Sequence, residues 1–245
     1  MCGDHNAKDT GKRMRAAIMQ PGYLPWLGFF EMMHNCDLFV FLDDVQYTRK
    51  DWRSRNRIRT KEGWVFLTVP VLTKNRRFQL IKEAEINNHE SWKKKHLHSL
   101  AINYRRAPYF DEYFPGLQHI YRKDWIYLAD LDIEIIAWLS QKLGITTPTV
   151  RSSVLKTSGK REEKIINICK AIGAQVLYDT QAARDILDPE VFRDANIKIE
   201  FQDYRHPVYK QIYEPFIPSM SVIDLLFQHG PKSLEILLYD KMAQI

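Results

Sequence analysis

The stretch Ala16-Ala17-Ile18-Met19-Gln20-Pro21-Gly22-Tyr23-Leu24-Pro25-Trp26-Leu27-Gly28-Phe29-Phe30 decides how this chain folds. Its first four residues are a short apolar run with strand character. Gln20-Pro21-Gly22 breaks the run, because proline withholds an N–H and glycine turns freely. Over 24–33 the apolar residues return at helical spacing. A second apolar run, 38–42, ends in Asp43-Asp44. Both runs are almost wholly apolar, the pattern of strands buried on both faces of a parallel sheet. Strand, helix and parallel strand form a βαβ unit, for which a right-handed crossover is the rule.

Working outward, 64–71 is a third expected strand. Helices are expected over 91–106, 109–121 and 125–143, the last closed by Gly144. Residues 147–150 read as a strand. Ser158 and Gly159 open a helix over 160–172 that stops at Gly173. Strands follow at 175–178 and 197–202, and Ser221 caps a final apolar helix over 222–228. Strands alternating with helices predict an α/β, Rossmann-like fold. Its mostly parallel sheet is flanked by helices, with a helical insertion over about 90–143. Residues 1–13 read as a flexible tail and 14–245 as one domain.

The 245 residues are 45% hydrophobic and 27% charged, which excludes a mainly disordered or collagen-like chain. No window approaches the unbroken apolar length of a membrane span. Residues 1–13 are polar and show no secretory pattern, so the cytoplasm is the expected compartment and no membrane partner is expected. Cys2, Cys36 and Cys169 are far apart with no CxxC pair, which argues against a disulfide framework and a zinc site. Cys36 and Cys169 lie in apolar helical patterns and read as buried thiols. The 36 basic residues exceed the 30 acidic ones, for a net charge of +6. Such an excess attracts phosphates, sugar nucleotides or nucleic acid without choosing among them.

Several segments carry chemistry. The loop from Gln20 through Tyr23 and Trp26 to Gly28 follows the first strand and opens a helix. In open α/β sheets ligands sit at the carboxyl ends of strands, and a helix start offers free N–H groups to a phosphate. Asp43-Asp44-Val45-Gln46-Tyr47 also stands at a strand end, where adjacent carboxylates bind metal, orient an amine or act as a base. Such a pair equally serves as a turn or cap. Arg49, Lys50, Arg53, Arg55, Arg57, Arg59 and Lys61 interleave with Trp52 and Asn56. Guanidinium forks suit phosphates and aromatics suit bases, although a basic run is more often a solvated loop. Lys95, His96 and Asn103 fall in one predicted helix, but His96 and His98 at i,i+2 do not form a metal pair. Lys160 follows Gly159 at a helix start, without the Walker spacing. Finally, Gln202, Asp203, Tyr204, His206, Tyr209 and Gln211 crowd beyond a strand, with His206 the best-placed acid/base candidate.

These segments, in this order from about Met14 to Pro231, resemble the WbqC-like protein family. The resemblance is carried by Gln20-Pro21 with 24–30, Asp43-Asp44-Val45-Gln46-Tyr47, Arg55-Asn56-Arg57-Ile58, Ser91-Trp92 with Lys95-His96, and Asn103-Tyr104. Further on it is carried by Leu143-Gly144-Ile145, Ile168-Cys169-Lys170 with Gly173-Ala174, Phe201-Gln202-Asp203-Tyr204 with 206–209, and Ser221 to Phe227 with Gly230-Pro231. Two departures stand out. Asp179-Thr180-Gln181 follows Tyr178 where the family pattern has a Ser-Gly pair and a Pro, and Ser54 replaces an Asn. The first falls beside an expected pocket and bears on the substrate.

The resemblance implies a role in O-antigen or related surface-polysaccharide synthesis: attaching an acyl or aminoacyl group, such as glycyl, to the amine of a nucleotide-linked amino sugar. The acyl donor stays open between an adenylate made with ATP and magnesium, a carrier thioester and a charged tRNA. On this reading His206, His96 and Asp44 are the catalytic candidates. The substrate contacts are drawn from Gln20, Tyr23, Trp26, Gly28, Asp43, Gln46, Tyr47, Arg55, Asn56, Arg57, Lys95, Asn103, Tyr104, Lys160, Tyr178, Gln202, Asp203, Tyr209 and Gln211. No serine or cysteine has the surroundings of an activated nucleophile, so direct transfer is expected. A class I-like adenylyl transferase is one alternative, weakened by the absence of the H-x-G-H histidines. A non-catalytic nucleic-acid-binding protein is the other.

Overall fold

The computed structural model describes residues 13–76 and 78–242. The tail expected over 1–13 lies, apart from Arg13, outside the described residues.

Five strands, β1 (Arg15–Met19), β2 (Leu38–Phe41), β5 (Thr149–Arg151), β6 (Val176–Asp179) and β7 (Lys198–Phe201), form one sheet in the order β5-β2-β1-β6-β7. Every pairing in it is parallel. The α/β, Rossmann-like expectation therefore holds.

Alternation along each strand divides the sheet between two cores, as the two-residue period of a strand requires. Ala17, Phe39, Phe41 and Tyr178 face one core, with residues of α1 (Leu27–His34), α4 (Leu128–Leu143) and α8 (Val222–His229). Ala16, Ile18, Val40 and Leu177 face the other, with residues of α6 (Arg161–Ile172) and α7 (Pro189–Asp194). Connections leaving β1 toward β2 and β5 thus cover one face, and those reaching β6 and β7 cover the other. The order reverses between β1 and β6, which leaves a crevice beyond their carboxyl ends.

The helical insertion is α2 (Trp92–Tyr104), α3 (Phe110–Arg122) and α4. Gly144 and Gly173 close α4 and α6 in left-handed conformation, at φ 78° and 73°. Ser221 caps α8 by accepting from the Ile223 N–H. Between α8 and the chain end lies α9 (Ser233–Met242), preceded by a short 3-10 turn over Gly230–Lys232.

The expected strand at 64–71 is observed as β4 (Gly63–Thr68), outside the main sheet. It pairs antiparallel with β3 (Arg55–Thr60), so Arg55, Arg57 and Arg59 of the basic run lie in a strand rather than a loop. Asn56 and Ile58 on the inner face of β3 are buried and anchor it.

Candidate functional site

A cavity of about 590 Å³ opens at the crevice between β1 and β6. Its floor comes from strand ends, through Met19, Gln20, Leu42, Asp179 and Thr180. Pro25, Trp26 and Phe29 from the start of α1 add an apolar wall. Trp52 and Arg53 enter from the approach to β3, Asn56 and Arg57 from β3 itself, and Ser219 from the approach to α8. The size is that of a site for a nucleotide-sized molecule.

The loop from β1 to α1 is held by the hairpin. Tyr23 N–H donates to Trp52 O at 3.1 Å, and Asn56 Nδ2 donates to Leu24 O at 2.8 Å. Leu24 sits at φ 46°, a backbone state disfavoured for a branched residue, and those two bonds fix it there. Gly28 is required by contact, since a Cβ there would lie 2.2 Å from the Trp26 ring. Its absence lets the indole lie on α1 and face the cavity.

Charge in the cavity is asymmetric. Arg57 donates to Ser219 O at 3.1 Å, and its guanidinium stacks over Trp52 and Trp64, 5.6 and 5.2 Å from the ring centres. Arg53 pairs with Asp51. Burial lowers the pKa of both guanidiniums, and each leaves a buried Nε without a hydrogen-bond partner among the described residues. Asp179 accepts from the Thr180 N–H at 2.6 Å, and burial raises its pKa. No cation pairs with it among the described residues.

His206 stands behind this wall. Its ring stacks on Trp26 at 6.4 Å and 14°. Nδ1 donates to Pro207 O at 2.9 Å, and Nε2 accepts from Ser219 N–H at 3.1 Å. Those bonds define the neutral tautomer, and burial lowers its pKa accordingly. Gln20, Trp26, Asn56 and Arg57 are thus brought together at the cavity, with Gly28 and His206 supporting it.

Other candidates lie elsewhere. Asp43 is fully buried and accepts from the Ser153 N–H and Oγ at 3.0 and 2.9 Å. It caps the short helix α5 (Ser152–Leu155). Asp44 accepts from Ser152 Oγ at 2.5 Å and Lys164 Nζ at 2.6 Å. His96 is buried: Nε2 donates to Thr68 O at 3.1 Å, and Nδ1 accepts from Tyr23 OH at 2.8 Å. The Tyr23 hydroxyl also bonds Tyr121. Burial pushes the His96 pKa down to about 4.

Tyr104, Tyr209 and Gln211 all donate to the buried Asp224, at 2.8, 3.0 and 3.0 Å. Tyr178 and Gln202 bond the buried Glu31. Asn103 turns back to Ser99 O at 2.8 Å. Gln46 and Tyr47 border a separate groove with Arg49 and Arg76. Lys95, Lys160 and Asp203 are exposed away from the cavity lining, and Arg55 stacks over Phe66. Cys36 and Cys169 are pushed up to about 12 by burial, so neither is a thiolate near neutrality. Cys2 lies outside the described residues.

Sequence reading did not single out Asp179, Thr180 or Ser219 as contacts. Asp179 carried a signal, because it ends a strand where the chain departs from its family pattern.

The cavity is therefore a crevice at the switch point of a doubly wound α/β sheet, lined by Arg53, which pairs with Asp51, by Arg57, and by the Asp179 carboxylate. The sequence model of the WbqC-like protein family matches residues 20–236, and the chain belongs to that family. It is 34% identical over 227 residues to the uncharacterized protein Rv1507c of Mycobacterium tuberculosis, covering 92% of this chain and 98% of the relative. No solved structure matches the chain.

Proposed function

We propose that this protein is a transferase of the cytoplasm that attaches an acyl or aminoacyl group to the amine of a nucleotide-linked amino sugar for surface polysaccharide. The observation that carries the reading is the shared cavity of Arg53, Arg57 and Asp179. A nucleotide sugar carries a diphosphate for the guanidiniums and flat apolar surface for Trp26 and Trp52. An amino sugar adds one cation for Asp179.

The roles differ from those the sequence first offered. Asp179 replaces Asp43 and Asp44 as the group that receives the sugar amine. Its raised pKa suits it to take a proton as the amine becomes a nucleophile. His206 is a positioning residue, since both ring nitrogens are occupied and its partners, Trp26 and Ser219, face the ligand. His96 and Asp44 act within the fold. The inert thiols favour direct attack of the amine on the acyl carbonyl, without an enzyme-bound intermediate.

Thermal shift with UDP- and dTDP-linked sugars, each with and without an amine, tests the reading. A ligand at about 100 times its dissociation constant adds roughly 2.7 kcal/mol. The amino sugar nucleotide is expected to raise Tm more than its hydroxyl analogue. Asp179→Asn should abolish that difference, and Arg57→Gln should weaken both ligands. Equal shifts for the two sugars in the native protein would remove the amine from the proposal, and silence toward every sugar nucleotide would overturn it.

A further inference from the structure

The β3–β4 hairpin presents one face outward. Arg55 and Arg57 on β3 share that face with Trp64 and Phe66 on β4, as the pairing of Arg57 with Phe66 and Arg59 with Trp64 requires. Trp52, just before β3, joins them. Trp52, Trp64 and Phe66 are 54%, 42% and 36% exposed, although burying such rings is ordinarily favourable. The rings form one cluster, with Trp64 to Phe66 at 5.0 Å and Trp52 to Phe66 at 6.1 Å. The Arg55 guanidinium lies 4.3 Å from the Phe66 ring centre, and that of Arg57 lies between Trp52 and Trp64. Neither arginine has a carboxylate partner among the described residues.

We infer that this face is a docking platform for the single-stranded end of an RNA. Three exposed rings interleaved with two unneutralised guanidiniums match the alternation of base and phosphate along a single strand. A neutral glycan would use the rings and leave the guanidiniums uncompensated. A duplex hides its base faces and would use only the charge. The net charge of +6 has the sign that polyanion binding needs.

Trp52 and Arg57 belong to both the platform and the cavity, so a strand lying on the hairpin runs its end into the crevice. Resting on the proposed function, this identifies the donor as an aminoacyl ester on the terminal ribose of a tRNA. The sugar amine attacks the ester carbonyl carbon. A C–N bond forms, the C–O bond to ribose breaks, and the proton shed by nitrogen passes to the departing ribose oxygen. Nothing is oxidised or reduced.

The test is fluorescence anisotropy with a labelled single-stranded RNA of about ten nucleotides ending in CCA, within the usual site size for stacking platforms. Trp64→Ala and Arg55→Gln, both on the exposed face, are the variants, with Tm confirming that each folds. Trp64→Ala is expected to weaken binding roughly five- to hundredfold. Arg55→Gln should lower the salt slope by about one. A blunt duplex of equal charge should compete poorly.

Undiminished binding by both folded variants, or equal competition by the duplex, would overturn the platform. The sugar-nucleotide thermal shift is read on the same proteins and should be unchanged by Trp64→Ala. No RNA binding by the native protein, with its sugar-nucleotide shift intact, would sink the platform alone. RNA binding present with every sugar nucleotide silent would sustain the platform and overturn the sugar reading.

Discussion

Lys164 donates to the Asp44 carboxylate at 2.6 Å, and this pair ties α6 to the segment that leaves β2. Both side chains are nearly buried, at 8% and 13% exposure. Burial alone would raise the Asp44 pKa, but the hydrogen bonds from Lys164 and Ser152 outweigh it and hold the pKa below the ordinary carboxylate range. Its folded pKa is thus depressed. The stabilisation is present at neutral pH and is lost as pH falls through the acid range toward that value.

Lys164→Met should therefore destabilise the fold by about 3–5 kcal/mol, because it strands a buried carboxylate. The double variant Lys164→Met with Asp44→Leu should recover much of that loss. Denaturant unfolding of the three proteins measures it. A single variant as stable as the parent would show that the pair contributes nothing.

His96 has a definite pH window. Its pKa is depressed to about 4 by burial, against an ordinary value of about 6.5. The unfolded chain binds the proton first, so this residue costs stability as pH falls from about 6.5 to about 4. The size is on the order of 3 kcal/mol. Chemical denaturation from pH 7 to pH 4, on the parent and on His96→Gln, should show that slope in the parent and a flatter one in the variant.

Asp132 gives the opposite sign. It is fully buried on α4, neither carboxylate oxygen has a hydrogen-bond partner among the described residues, and burial pushes its pKa far up. The folded state then holds a proton that the unfolded chain releases above about pH 4. This makes stability fall as pH rises toward the folded value. Asp132→Asn removes the titration and should raise Tm at pH 8 while changing it less at pH 4. An equal change at both values would refute the assignment.

Gly28→Ala separates binding from folding. Alanine favours a helix over glycine by about 0.8–1.0 kcal/mol, so α1 itself gains. Its Cβ would meet the Trp26 indole and drive the ring from its place in the cavity wall. The expected result is a protein that remains folded but has lost most affinity for the nucleotide sugar, read by calorimetric titration. Unchanged affinity would remove Trp26 from the site.

Much of the frame was legible because its signals are local. The apolar run ending at Gln20-Pro21-Gly22 reads as a strand and a break whatever surrounds it. Gly144 and Gly173 mark helix ends by their own backbone freedom. The β3 strand was not legible, since alternate arginines look like a solvated loop. Only its buried partners Asn56 and Ile58 show which side faces in. The Asp43-Asp44 pair reads the same as catalyst or as cap. Its hydrogen-bond partners Ser152, Ser153 and Lys164 all lie more than a hundred positions later, beyond the reach of any local pattern.

The sequence by itself determined the parallel α/β frame, the family and the segments that hold polar and aromatic chemistry. Periodicity and turn residues act over a few positions and survive without context. Tertiary structure alone decided which of those residues share a cavity. Strand order places β6 beside β1 across more than 150 positions, and that brings Asp179 to Gln20, Trp26 and Arg57 while seating His96 and Asp44 in the fold. Such proximity is set by packing on the two faces of the sheet, and no local pattern encodes it.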